Sequence, residues 1–367
     1  MKKIRSLSKQ KESFDKGLLY VVLTLVFLGL VAVLDASAPQ ALANFNDKYF
    51  FFKAQAKSAL VGLVSFFVVS RIKPSFWEKI ATPFFFFCFS LLIIVLIPGL
   101  SYEALGARRW ISLGVFNFQP TELIKLSLAL YFAKLAKSEK GQMSYFIPLL
   151  GILGLIMLQP DLGTALSVSV VGLSQIFVSG ISLVNFSIAG VIGVIGTTIL
   201  ILLSPYRRDR LMTFLEATSD PLGKGYHVRQ ILLALGSGGI FGVGIGASRQ
   251  KYLFLPEAST DSIFAIIAEE LGLVGSIIII GLFAYFLYKG FVIAKNSSDR
   301  FSQVLAIGLT SWIGGQAFLN IASMVALVPL TGIPLPFFSY GGSSLVMVLT
   351  ACGILLSISR HAKSDGK

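Results

Sequence analysis

The chain has 367 residues, of which 55% are hydrophobic and only 13% charged, with a net charge of +13 and a mean hydropathy of +0.80. Apolar content this high over this length exceeds what a soluble core needs, so the chain reads as a polytopic membrane protein. The cations fall in short clusters between apolar runs rather than on a basic face with interleaved aromatics, which argues against nucleic-acid binding. Cys88 and Cys352 lie inside apolar runs, and the two histidines, His227 and His361, have no metal-ligand spacing, which excludes a disulfide framework and a zinc site.

Residues 1–16 form a basic tail holding Lys2, Lys3, Arg5, Lys9, Lys11 and Lys16. An apolar run over 17–34 follows, about 27 Å long as a helix and sufficient for the hydrocarbon core. Ala36-Ser37-Ala38 resembles a cleavage site, but the run is longer than a signal core and Pro39 would follow the cut, so the helix reads as retained. Nine further runs, at 54–70, 80–97, 119–136, 145–158, 162–178, 183–203, 262–288, 303–327 and 340–359, complete ten predicted transmembrane helices, the fifth of them short and bounded by proline. Alternate connections carry Arg71, Lys73 and Lys79; Lys134, Lys137 and Lys140; Lys289, Lys295 and Arg300; then Arg360, Lys363 and Lys367. This bias places the N- and C-termini in the cytoplasm.

The expected fold is therefore an all-α polytopic membrane protein. A single integral membrane domain covers 17–360, between the tail 1–16 and a short tail 361–367, with one large extracytoplasmic loop, 204–260, between helices seven and eight. That loop breaks the charge pattern, because it holds Arg207, Arg208, Arg210, Lys224, Arg229, Arg249 and Lys251. Long loops escape the positive-inside rule, so the topology stands, and an anionic partner at the outer face or phospholipid headgroups would account for the excess.

Several chemistry-bearing motifs fall on that outer side. Gln119-Pro120-Thr121-Glu122-Leu123-Ile124-Lys125 opens the fourth helix with proline near its start, and Glu122 and Lys125, at i and i+3, share a face. They read either as a self-neutralising pair or as functional intramembrane charges. Ahead of them, Arg108 and Arg109 precede Trp110 in a loop, a pairing suited to phosphate or to the interfacial belt. Asp161, in Gln159-Pro160-Asp161-Leu162-Gly163, reads as a turn with an Asp cap. The glycine-rich run 236–246 formally contains GxGxxA at 242–247, but without a βαβ context it is not a dinucleotide site. It would cradle a pyrophosphate beside Arg249 and Lys251, or pack helices closely. The segment 331–344, with two prolines and a glycine pair, suggests a re-entrant or tightly turned stretch. Finally Asp261 stands in Leu255 to Gly272 where the polar loop enters an apolar helix, with Ser259 or Thr260 as the cap and Asp261 in the first turn. Chemistry outside the membrane has no ready nucleotide supply, so its substrate must bring its own leaving group, and a lipid-linked pyrophosphate meets that demand.

On these residues the chain resembles the SEDS family (shape, elongation, division and sporulation), the FtsW and RodA polymerases of peptidoglycan, from about residue 17 to 360. The motifs are GARRWISLG at 106–114, QPTELIKL at 119–126, QPDLGTA at 159–165, LPEASTDSIFAIIAEELG at 255–272 and GIPLPFFSYGGSS at 332–344. Their wording leans towards FtsW. The resemblance implies ten helices in the bacterial cytoplasmic membrane and inverting glycosyl transfer on lipid II, the undecaprenyl-pyrophosphate-linked disaccharide peptide, as donor and acceptor. It implies Asp261 as the catalytic base, with Lys125 and the helix N-terminus keeping it charged and apolar surroundings raising its pKa. Arg108, Arg109, Glu122 and Lys125 would bind substrate, joined by the loop cations Arg207, Arg208, Arg249 and Lys251. The partners it implies are a class B penicillin-binding transpeptidase and membrane lipids, with no nucleic acid. A divalent cation, Mg2+ or Mn2+, would suit the leaving pyrophosphate, although the motifs lack a dedicated ligand cage. This chain departs from the family in carrying Ser259 where His is usual and Ser262 where Phe is usual, which removes an imidazole at 259 and makes the wall beside Asp261 more polar. A lipid II flippase and a non-catalytic scaffold for the transpeptidase are the alternative functions.

Overall fold

The structure, a computed structural model, describes residues 14–98, 101–104, 107–112, 117–138, 140–215 and 225–362. In chain order it contains α1 (Lys16–Phe45), α2 (Phe50–Val69), α3 (Pro74–Ile94), β1 (Tyr102–Ala104), β2 (Ala107–Ser112), β3 (Asn117–Phe118) and α4 (Pro120–Lys137). There follow α5 (Met143–Leu158), α6 (Leu162–Val178), α7 (Leu183–Leu203), α8 (Pro205–Leu215), α9 (Tyr226–Gly238), α10 (Ile263–Lys295), α11 (Arg300–Met324) and α12 (Gly342–His361). Each of the ten predicted runs is a helix. Among the described residues seven helices are long and apolar enough to cross a membrane, α5 and α6 are shorter apolar helices, and α4 carries charges along its length. Phe86, Phe87, Leu60 and Val64 are exposed on α3 and α2, and α7 buries no described residue. An apolar surface this extensive belongs in lipid, so the chain is a multi-pass membrane protein.

Local chemistry sets the helix ends. Asp15 caps α1 by accepting the Leu18 N–H at 2.8 Å, and Asp299 caps α11 by accepting the Ser302 N–H at 3.1 Å. Pro74 and Pro120 open α3 and α4, where the missing N–H costs nothing. In the bundle α10 packs on α11 and α1, α2 on α12, α3 on α4, and both α4 and α6 on α11. Trp312, Phe264, Phe286 and Phe338 are fully buried at the centre.

The structure adds detail to three expectations. The first helix runs through Pro39 to Phe45, so the cleavage-like Ala36-Ser37-Ala38 lies inside a helix with Ala36 and Ser37 buried. The fold is the expected helical one, with one small addition: the stretch carrying Arg108 and Arg109 is strand β2 in a three-stranded antiparallel sheet of order β1-β2-β3. The long loop contains two helices, α8 and α9, and α9 packs along α10.

Beyond α9 the glycine-rich turn meets α10 at Gly272, where φ is 66° and the helix breaks. The N–H groups of Val243 and Gly244 donate to the carbonyls of Glu269 and Glu270 at 3.0 and 3.1 Å. Those of Leu273 and Val274 donate to Gly239 and Ile240 at 3.0 and 3.1 Å. These bonds replace the ladder that the break removes, so the break is tolerated in the bundle. A Cβ at Gly242 or Gly272 would collide with backbone of the other segment. Close packing, not a phosphate cradle, explains these glycines.

Candidate active site

The turn between Glu257 and Ser262 carries the central carboxylate. The Ser262 N–H and Thr260 N–H both donate to the Glu257 carbonyl at 3.1 Å, and Thr260 Oγ1 donates to Glu257 Oε2 at 2.6 Å, with Asp261 Oδ1 at 3.3 Å. Asp261 therefore precedes α10 instead of lying in its first turn, and neither Ser259 nor Thr260 caps the helix, whose N-cap position is Ser262 without a side-chain cap bond. The turn is held from behind. Asn320 Nδ2 on α11 donates to the carbonyls of Asp261 (2.7 Å) and Ile333 (2.8 Å), Ser339 Oγ donates to the Thr260 carbonyl at 2.5 Å, and the Tyr340 N–H donates to the Ser259 carbonyl at 2.8 Å. The proline-rich segment before α12 thus braces the backbone on either side of Asp261.

The side chain of Asp261 faces a cavity of about 640 Å³, a volume suited to a small-molecule headgroup. Its walls come from β2 (Arg109, Trp110), α4 (Glu122, Lys125), α6 and its N-cap (Thr164, Ser167 and Asp161), α8 (Asp209, Arg210, Thr213), α9 (His227) and the turn itself (Glu257, Thr260). Burial raises the Asp261 pKa to about 6, reinforced by Glu257, while hydrogen bonds from its own backbone and Thr260 and the charge of Arg210 oppose the rise. A carboxyl poised there is ionised at neutral pH and still a usable base.

Glu122 and Lys125 form the buried floor. Lys125 Nζ donates to Glu122 Oε1 at 2.8 Å and to Gln316 Oε1 at 2.9 Å, and lies 4.9 Å from the centre of the Trp312 ring. Gln316 Nε2 in turn donates to the Pro334 carbonyl at 2.9 Å, tying the floor to the bracing segment. Glu122 Oε2 is buried with no hydrogen-bond partner, an open acceptor at the base of the cavity. On the rim Asp161 caps α6, accepting the Thr164 N–H at 3.0 Å and the Thr164 hydroxyl at 2.9 Å, as its turn context predicts. It also lies 3.5 Å from Arg109 Nε, and Arg109 donates to the carbonyls of Gln159 and Pro160 at 3.2 and 2.6 Å.

Other predicted residues are not brought here. Lys251 is buried, its Nζ 2.7 Å from Asp35 Oδ1 on α1 and 2.8 Å from Glu270 Oε1 on α10, and it ties the loop to two helices. Arg249 is exposed, its N–H spent on Glu269 Oε1 at 3.1 Å. Arg208 is exposed on α8 and does not line the cavity. The side chains of Arg108 and Arg207, and the whole of Gly106 and Lys224, lie outside the described residues. The cation facing Asp261 is Arg210 rather than Lys125. A Cβ on Gly332 would stand 3.7 Å from Asp261 Oδ2 and 4.0 Å from Arg210 Nη1, so the two groups flank that glycine. Arg210 is one of seven loop cations in sequence and nothing in the pattern singles it out, and His227 reads there as an isolated histidine.

Among the described residues no three His, Cys, Asp or Glu side chains are grouped so that they could hold a metal ion. The donor set does not fit a protein-built cation cage.

A chamber of ionisable groups at one end of an apolar helical bundle defines a membrane-embedded protein built to handle a polar or charged headgroup. The profile of the Cell cycle protein family that spans FtsW, RodA and SpoVE matches residues 16–364, and the chain belongs to this family. It is 40% identical over 365 residues to Stage V sporulation protein E of Bacillus subtilis (strain 168), covering 97% of this chain and 100% of that protein. It is 39% identical to the Probable peptidoglycan glycosyltransferase FtsW of Trichlorobacter lovleyi, over 95% of this chain and 94% of the relative. Among solved structures, a chain of a peptidoglycan synthase complex superposes with a TM-score of 0.80 at 29% identity, covering 96% of this chain and 99% of the other. The rod shape determining protein RodA of Thermus thermophilus superposes with a TM-score of 0.71 at 28% identity, with the same coverage.

Proposed function

We propose that this protein is a peptidoglycan glycosyltransferase that polymerises lipid II at the outer face of the bacterial cytoplasmic membrane, with Asp261 as its general base. The observation that carries the reading is the Asp261 carboxylate facing a cavity walled by Arg109 and Arg210, in a chain similar over 95% of its length to a relative named Probable peptidoglycan glycosyltransferase FtsW. Asp261 takes the proton of the acceptor 4-hydroxyl as that oxygen attacks the anomeric carbon of the donor chain. The new glycosidic bond forms with inversion while the bond to the pyrophosphate oxygen breaks, and undecaprenyl pyrophosphate leaves with the electron pair. Arg109 and Arg210, which line the cavity, would stabilise the departing negative charge, since guanidinium groups suit phosphate oxygens. The open Glu122 Oε2 accepts a hydrogen bond from a donor N–H or O–H of the substrate. A class B penicillin-binding transpeptidase is the partner that would crosslink the product, in keeping with the likeness to a chain of a peptidoglycan synthase complex.

The test is polymerisation of labelled lipid II by purified wild type and Asp261→Asn, with and without the transpeptidase, glycan products being resolved on a gel. Asp261→Asn is expected to lose about 10²–10⁴-fold in rate, the usual contribution of a positioned base. Wild-type rates from that variant would refute the base, and transport of fluorescent lipid II across liposomes without polymer would establish a flippase instead.

A further inference from the structure

His227 is not absorbed by the mechanism above, yet it is the second residue of α9 and lines the same cavity as Asp261. Its Nε2 lies 2.8 Å from the Oγ of Ser262, the residue that follows the base. Ser262 is fully buried and occupies the N-cap of α10, where a serine hydroxyl ordinarily accepts a backbone N–H of the first turn. Here it makes no such bond, and the hydroxyl turns to the imidazole instead. The local preference is given up in favour of a link across 35 residues of chain.

The geometry of the turn shows what that link controls. Backbone groups of Ser259, Thr260 and Asp261 are held from α11 and the segment before α12, by Tyr340, Ser339 and Asn320. The last residue of the turn is met by α9, through His227. The charges that act on the ring are Glu257 on the turn and Arg210 on α8, and Asp261, Asp209 and Arg109 line the same cavity. Burial lowers the His227 pKa below its ordinary 6.5, Glu257 opposes this and Arg210 adds to it, so the ring is neutral at physiological pH and can serve as a hydrogen-bond partner without adding a cation.

We propose that His227 is a positioning residue for the Asp261 carboxylate, acting through Ser262. The imidazole–hydroxyl bond fixes the α9 side of the turn, so that the carboxylate stays aimed at the acceptor oxygen and the turn cannot relax towards an ordinary serine cap. The inference rests on the reading of Asp261 as base. It also returns an imidazole to the neighbourhood of the base from a different element, although position 259 is serine.

The test measures initial polymerisation rates against lipid II concentration, with melting temperatures in detergent, for His227→Ala, His227→Gln, Ser262→Ala and the double variant His227→Ala with Ser262→Ala. Each alanine variant is expected to lower kcat about tenfold with KM within about twofold, since the interaction aligns the reacting group and does not touch substrate. The double variant is expected to be no slower than the slower single variant, because both changes remove one bond. His227→Gln, whose carboxamide can still meet the hydroxyl, is expected to recover to within about threefold of wild type. A raised KM at unchanged kcat would mean that the ring contacts substrate and would overturn the proposal. So would losses that multiply in the double variant, or equal losses in His227→Gln and His227→Ala that track a fall in melting temperature. Asp261→Asn, assayed alongside, reports separately on the base: full activity there removes that assignment whatever the His227 series shows.

Discussion

Lys251 gives the sharpest contrast between a binding residue and a structural one. Its ammonium lies 2.7 Å from Asp35 and 2.8 Å from Glu270 with the side chain only 4% exposed. Burial alone would lower its pKa, yet hydrogen bonds to the two carboxylates hold it above the usual lysine value, so it is charged at every pH the fold experiences. Lys251→Met keeps the length and apolar stem but deletes the cation, leaving Asp35 and Glu270 facing each other without a counter-ion. Deleting one partner of a buried ion pair costs about 3–5 kcal/mol. The loop is also knitted to Glu270 by the Ser248 N–H at 3.1 Å, so it will loosen rather than detach. The expected result is a melting temperature several degrees lower in detergent, with KM for lipid II unchanged in the protein that remains folded. Adding Asp35→Asn and Glu270→Gln should restore most of the loss, because no unpaired charge is left. An unchanged melting temperature with a raised KM would refute the reasoning and place Lys251 against substrate.

The remaining predictions concern the cavity. With the Asp261 pKa near 6 in the free protein, kcat/KM should be half-maximal near that pH and about a tenth of maximal one unit below it, because only the ionised form accepts a proton. A rate profile flat between pH 5 and 7 would refute the assignment. The stability sign is opposite: a folded-state pKa raised above 3.8 means that this group's contribution is fully present below 3.8 and is lost as pH rises through 6, a dependence that Asp261→Asn should remove from melting curves. Gly332→Ala should destabilise the fold by about 1–2 kcal/mol, because Gly332 has φ of 67°. It should also shift the acid limb of the rate profile upward, because the new methyl lies 3.7 Å from Asp261 Oδ2 and removes water from it; a shift downward would refute the placement of the carboxylate.

How far residues alone carried the reading differs between fold and site. The ten apolar runs needed no tertiary information, since a segment that must bury its backbone groups in lipid declares itself by length and composition. Asp161 was legible as a cap because a cap is satisfied within three residues, and Thr164 meets it there. Asp261 shares the same sequence signature but does not cap; its turn is shaped by Asn320 and Ser339, 59 and 79 residues away. Its candidacy as a base came from the family resemblance, not from spacing.

The sequence by itself determined the solvent this protein lives in, the order of its apolar helices, and the ends at which charge gathers. These follow from local quantities: hydropathy over a helix length and the chemistry of the first and last turn. Only the tertiary structure decided which charges meet. It paired Lys251 with Asp35 across 216 residues, set Arg210 rather than Lys125 against Asp261, turned the glycine-rich run into packing against Gly272, and brought His227 to Ser262. The physical reason is that an ion pair or hydrogen bond works over about 3 Å in space and carries no signature in sequence distance.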